Sequence, residues 1–165
     1  MAVITPPLFE TERGDWQPTS DDHYTPAWLF DAMGLEFDLD VASPPGGVPW
    51  IPAKRFYTVH DDGLSQPWSG LVWCNPPFSA VSPWASRWAV CNDGVFLACV
   101  SKAKWTARLW AASEAIWIPG DRQIEFAQAD GAPNKHIPFL VFVAGRGEGT
   151  QGVVNLARNC GSAGS

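Results

Sequence analysis

The tetrapeptide Asn75-Pro76-Pro77-Phe78 brings together the chain's densest set of chemically useful groups. Two consecutive prolines fix φ and remove two backbone N–H donors. The carbonyls of Asn75 and Pro76 can then face a site without donors of their own nearby. The Asn75 side chain adds an amide acceptor and an amide donor, and Phe78 supplies a flat apolar face. A rigid pair of acceptors beside an aromatic plate suits a planar ring bearing an –NH2 group. The same tetrapeptide also serves as a plain chain break after a strand, and taken alone it does not separate the two readings.

The elements around it are those of an α/β domain. Gly70 to Cys74 is a short apolar run that stops at Asn75, as a buried strand would. Phe37-Asp38-Leu39-Asp40-Val41 alternates apolar and acidic residues and reads as another strand. Thr25-Pro26 marks a helix start, with Thr as the cap and Pro at the first helical position. Gly34 ends that helix. Ser43 to Pro52 holds four prolines and two glycines and reads as loop. Trp84, Trp88 and Cys91 fall at i, i+4 and i+7, on one face of a helix spanning Pro83 to Cys91. Val95–Val100, Ala115–Ile118 and Ile137–Val143 are further strands, and Lys102–Ser113 is a helix. Alternating strands and helices predict a mainly parallel central sheet flanked by helices in a compact single domain. Ligands of such sheets sit at the carboxyl ends of the strands, where the loops after Val41 and at Asn75 emerge.

With 165 residues the chain can bury a core without staples. Its apolar runs are far shorter than the ~20 residues that span a bilayer. No charged segment followed by an apolar one opens the chain, so no secretory signal is expected. Cys74, Cys91, Cys99 and Cys160 show no metal-like spacing with His23, His60 and His136, so reduced thiols of a cytoplasmic protein and no metal site are expected. The net charge of -6 argues against a strong non-specific grip on nucleic acid but leaves room for a local basic strip. Composition predicts a loosely ordered segment over residues 1–20, a domain over 21–147 and a flexible Gly- and Ser-containing tail over 148–165.

Several blocks now follow in order: Tyr24-Thr25-Pro26-Ala27-Trp28-Leu29-Phe30, Phe37-Asp38-Leu39-Asp40-Val41-Ala42-Ser43, Asp61-Asp62-Gly63-Leu64, Trp68, and Val72-Trp73-Cys74-Asn75-Pro76-Pro77-Phe78. Together they resemble the phage-type DNA N6-adenine methyltransferase family, which is Dam-like and uses S-adenosylmethionine. Gly120-Asp121-Arg122-Gln123-Ile124-Glu125-Phe126 resembles that family's downstream Arg-containing region. The resemblance implies a Rossmann-like methyltransferase fold and methyl transfer to adenine N6 in double-stranded DNA, in a bacterial cytoplasm. It implies that Asn75 and the Pro76 carbonyl accept from the adenine amino group and that Phe78 stacks on the flipped base, with Pro77 counted in the same catalytic motif. It assigns Tyr24, Thr25, Pro26, Asp40, Ala42, Ser43 and Asp62 to the cofactor, with Asp61 the alternative to Asp62. A sulfonium methyl is electrophilic enough that neither a metal nor a covalent intermediate is needed.

The sequence also departs from that family. Ser43-Pro44-Pro45-Gly46-Gly47 stands where a glycine-rich turn is usual, and no acid occurs from Val41 to His60. Lys102, Lys104, Arg108 and Arg122 are candidate DNA contacts, against a solvated helix face for the first three and a structural ion pair for Arg122. His23 and His60 read as polar loop residues rather than general bases. Asn-Pro-Pro-aromatic also suits a glutamine amide in a protein or an amino group in RNA. The altered glycine turn keeps open a non-catalytic binding module on a degenerate methyltransferase fold.

Overall fold

The computed structural model describes residues 21–120, 123–128 and 135–161. The expected loose segment 1–20, the candidate Arg122 and residues 162–165 lie outside these. The chain runs α1 (Ala27–Met33), β1 (Phe37–Asp40), β2 (Ala53–Phe56), β3 (Leu71–Cys74), a 3-10 turn (Phe78–Ala80), α2 (Val81–Trp88), β4 (Asp93–Cys99), α3 (Lys104–Ala112), β5 (Ala115–Trp117), β6 (Glu125–Phe126), β7 (Lys135–His136), β8 (Val141–Arg146) and α4 (Gly149–Gly161). Six strands form one sheet in the order β2-β1-β3-β4-β8-β5, and β6 pairs with β7 in a separate ribbon.

Alternation along the strands divides the core into two apolar layers. Trp73, Val95, Leu97 and Val143 point to one face and meet Leu29, Phe30 and Met33 of α1 and Val153 and Leu156 of α4. Val72, Cys74, Phe96, Ala98 and Phe142 point to the other and meet Val81, Ala85 and Trp88 of α2 and Leu109 of α3. All four residues of β3 are buried. That is why this strand reads as a continuous apolar run rather than an alternating one.

The first four strands of the sheet are mutually parallel, but β8 runs antiparallel to both β4 and β5. The sheet is therefore mixed, where a mainly parallel one is expected. Among the described residues no helix lies between β5 and β8, and antiparallel neighbours need none. β8 starts at Val141, later than expected, after a bend at Pro138-Phe139. β2 follows directly on the expected Ser43–Pro52 loop and has no counterpart among the expected elements; it is a mostly exposed edge strand lacking an apolar face. Its Lys54 pairs with Asp38 at 2.9 Å.

Two expectations need correction. The tail expected to be flexible from residue 148 is, over Gly149–Gly161, a helix packed on the sheet. Its glycines serve close approach rather than flexibility: a Cβ at Gly149 would lie 2.1 Å from the Gly94 carbonyl. Asn155 and Asn159 donate to the carbonyls of Met33 and Ala32 at 2.8 and 2.9 Å and fasten α4 to the end of α1. Thr25 does not cap α1. Pro26 occupies the cap position without a side-chain bond, and the Thr25 hydroxyl is used elsewhere, as described below. Gly34 ends the helix as expected, at φ 65° with its N–H donating to Phe30.

No helix among the described residues is long and apolar enough to cross a membrane.

Candidate active site

β1 and β3 lie side by side, Asp40 opposite Trp73, so the two chemically interesting loops leave the sheet together. The Val41 N–H donates to the Trp73 carbonyl at 3.1 Å and holds the first turn of one loop against the other strand. A cavity of about 380 Å³ opens there. Tyr24, Thr25, Asp40, Ala42, Ser43 and Asp62 all line it, as do Asn75 and Pro77. Pro26 does not. Its carbonyl accepts from the Leu29 N–H and starts α1. Pro76 is buried beneath the loop. Phe78 lines a second cavity of about 230 Å³ with Cys99, Ser101 and Trp105.

The Asn75 side chain is held at both of its N–H groups. Nδ2 donates to the His23 carbonyl at 2.7 Å and to the Thr25 hydroxyl oxygen at 3.2 Å. A carbonyl oxygen can only accept, so His23 fixes which end of the amide is nitrogen. The amide oxygen is thereby turned away from its own anchors and remains an acceptor.

Asp40 is only 3 % exposed. Its Oδ1 accepts from the Ala42 N–H at 3.2 Å. Burial raises its carboxyl to about 7, with the Ala42 bond opposing, and no cation contributes. A buried carboxylate without a counter-charge suits a cationic ligand. A folded-state value raised above 3.8 makes ionisation unfavourable to folding as pH climbs from about 4 through 7. Asp40→Asn is therefore expected to leave thermal stability near wild type at pH 4. At pH 8 it should raise it, by up to about 4 kcal/mol. Melting curves at the two pH values check this; equal shifts at both would contradict it.

Of the two neighbouring acids, Asp61 closes its own turn, accepting from the Thr58 N–H at 2.8 Å and the Thr58 hydroxyl at 3.1 Å. Asp62 lines the cavity in a left-handed conformation, φ 54°, which costs a residue with a Cβ about 1–3 kcal/mol. The next residue has to be glycine, because a Cβ at Gly63 would sit 2.2 Å from the Val41 carbonyl. The unusual Ser43-Pro-Pro-Gly-Gly segment forms a tight turn. The Gly47 N–H donates to the Pro44 carbonyl at 3.0 Å, and Gly46 has the positive φ, 84°, that a Pro-Gly turn requires.

Sequence reasoning missed several lining residues. Trp84, taken as a core position of α2, stands half-buried at the cavity and stacks on Trp68 at 6.2 Å. His23, expected as a polar loop residue, is buried with its ring on Phe78, centroids 4.8 Å apart at 25°. No motif marks either contact, since each joins residues far apart in the chain. Lys102, Lys104 and Arg108 are exposed around the start of α3, directly after the carboxyl end of β4, on the same edge of the sheet as Asn75. Lys104 and Arg108 are four residues apart and share a helix face.

No curated protein gives a match to the chain. The model of one family, described as DNA N-6-adenine-methyltransferase (Dam), matches residues 15–136. That span contains the buried acid that closes β1, the strained Asp62 turn, the anchored Asn75 and the His23–Phe78 stack. With most of its length matched, and with every part of the cavity inside the match, the chain belongs to the DNA N-6-adenine-methyltransferase (Dam) family.

Proposed function

We propose that the protein transfers a methyl group from S-adenosylmethionine to the N6 amino group of adenine in double-stranded DNA, on a Rossmann-like methyltransferase fold. The observation that carries this reading is the Asn75 amide, turned so that its oxygen is the acceptor at the lip of a cavity holding an uncompensated buried carboxylate. The strand order supports the fold assignment. The chain leaves β1 toward β2 on one side and returns to β3 on the other, so the cavity lies at the switch point where ligands of such sheets bind.

The residues present suit the cofactor. The cavity falls within the usual size range of small-molecule sites, and Asp40 offers a negative charge to a ligand bearing an ammonium and a sulfonium. Asp62 and Trp84, also lining the cavity, offer an acceptor and a ring face to its nucleoside part. When bound, S-adenosylmethionine supplies an electrophilic sulfonium methyl. Asn75 Oδ1 and the Pro76 carbonyl accept from the two amino hydrogens of the target adenine. These bonds favour a tetrahedral nitrogen, whose lone pair is no longer delocalised into the ring. Phe78 stacks on the base, offsetting the few kcal/mol needed to take it out of the duplex. Most of the rate enhancement then comes from positioning and fixed dipoles. The resemblance to phage-type enzymes supports modification of phage or prophage DNA in a bacterial cytoplasm.

Incubation with methyl-labelled cofactor and, separately, unmethylated duplex DNA, RNA and protein tests the reading. Label is expected in DNA. Label in RNA or protein alone would contradict it.

The basic strip carries its own prediction. If Lys102, Lys104 and Arg108 face phosphate, neutralising all three lowers duplex affinity and flattens its log–log salt dependence by about 0.9 per lost contact. A slope unchanged in the triple variant would return them to a solvated helix face.

A further inference from the structure

The strongest unassigned feature near the site is the ring of His23. It lies on Phe78 at 4.8 Å and 25°, and both rings meet Phe126 edge-on, at 5.7 Å and 87° for His23 and 5.9 Å and 86° for Phe78. Phe78 and Phe126 make a slot with one flat wall and one edge wall, and the His23 imidazole fills it. The slot belongs to the Asn75 side of the loop. His23 and Asn75 line the same cavity, and Asn75 is bonded to the carbonyl of His23 itself. Phe78 itself lines the second cavity and not this one, and the second includes neither Asn75 nor His23, so its His23-covered face is the one on the Asn75 side.

We propose that the His23 imidazole is a placeholder for the target base, stacked on Phe78 in the free protein and displaced when the flipped adenine enters. The inference rests on the reading of Asn75–Phe78 as the base site. A ring that stacks on Phe78 with its amino group at Asn75 Oδ1 must take the space His23 now holds. It cannot slip between the two rings. Two stacking layers need roughly 7 Å, about twice the ordinary contact distance between carbons, against the 4.8 Å present. The exchange replaces one stacked ring by another, so Phe78 keeps a covered face throughout. The backbone carbonyl of His23 can stay on Asn75 while the side chain rotates away, so the acceptor geometry survives the exchange. His23 thus acts as a positioning residue that competes with the base. Its competition lowers the apparent DNA affinity by the fraction of molecules in which the slot is open.

Two variants move the affinity in opposite directions. His23→Ala empties the slot and keeps the carbonyl; the KM for unmethylated duplex DNA is expected to fall about threefold or more. His23→Phe leaves an apolar ring that is less readily moved into water, and the KM is expected to rise above wild type. A merely structural role would not give this order, because loss of the ring would then be the harmful change. Proton NMR supplies a readout besides activity. The ring protons of His23, identified by their loss in His23→Ala, are expected at shielded positions in the free protein. They should move toward free-histidine values when unmethylated duplex DNA and S-adenosylhomocysteine are added together. An active series with equal KM values, or a KM raised by His23→Ala, would overturn the placeholder alone. Absence of methyl transfer to DNA by the wild-type protein would overturn the base-site reading with it.

Discussion

Asn75→Ala is expected to lower single-turnover methyl transfer by about 100-fold or more while the cofactor still binds. The size follows from losing one preorganised acceptor at the reacting atom, a few kcal/mol of barrier. The separation of effects follows from how Asn75 is held. Its nitrogen is tied to His23 and Thr25 at 2.7 and 3.2 Å, which leaves its oxygen as the acceptor. Alanine removes the oxygen and leaves Asp40, at the end of the neighbouring strand, where it was. Asn75→Asp tests the same geometry from the other side. It keeps an acceptor but loses the donors that bind the His23 carbonyl, so it should retain more activity than alanine and less than wild type. Rapid-quench transfer beside calorimetric cofactor binding separates the two effects. Equal losses of affinity and rate would place Asn75 with the cofactor instead.

The second large effect belongs to Asp40. On the proposed reading the buried carboxylate pairs with the positive charge of S-adenosylmethionine, and Asp40→Ala weakens binding at least tenfold above pH 7. The pH dependence has a definite sign. The free protein holds the carboxyl near 7 through burial, with no cation to oppose it. A cationic ligand favours the ionised form, so binding releases a proton when it occurs below that value. Wild-type affinity therefore rises with pH through about 7 and levels off above it, while Asp40→Ala stays flat across the same range. Calorimetry in buffers of different ionisation heat measures the proton release directly. Proton uptake, or a wild-type profile as flat as the variant's, would remove Asp40 from the binding event.

Much of this site was legible in the sequence because its two loops are punctuated by residues with one strong conformational meaning. The prolines after Asn75 end β3 where expected, and Leu71–Cys74 of the apolar run before them is buried throughout. Asp40 was legible as the last polar position of an alternating strand, and it closes β1. Other features depend on contacts that no local pattern records. Ala53–Phe56 has no apolar face because it is an exposed edge strand. α4 was hidden by its glycines: Gly149 lets the helix press on β4, and Gly152 makes room for the Leu35 side chain. The direction of β8 is not written in its apolar run, which would serve a parallel strand equally well. Thr25 reads as a helix cap from its neighbours in sequence, yet its hydroxyl bonds a residue fifty positions away. His23 carries no motif, and its significance lies in a ring on a different loop, far away in the chain.

On the proposed reading one atom decides the chemistry, the exocyclic nitrogen of adenine facing Asn75 Oδ1. Single-turnover reaction of the wild-type protein with unmethylated duplex DNA and S-adenosylmethionine, followed by enzymatic digestion and mass spectrometry of the nucleosides, tests it most directly. N6-methyldeoxyadenosine is the expected product, reduced about 100-fold in Asn75→Ala. Methyl groups on cytosine, or undiminished N6-methyldeoxyadenosine from Asn75→Ala, would contradict it.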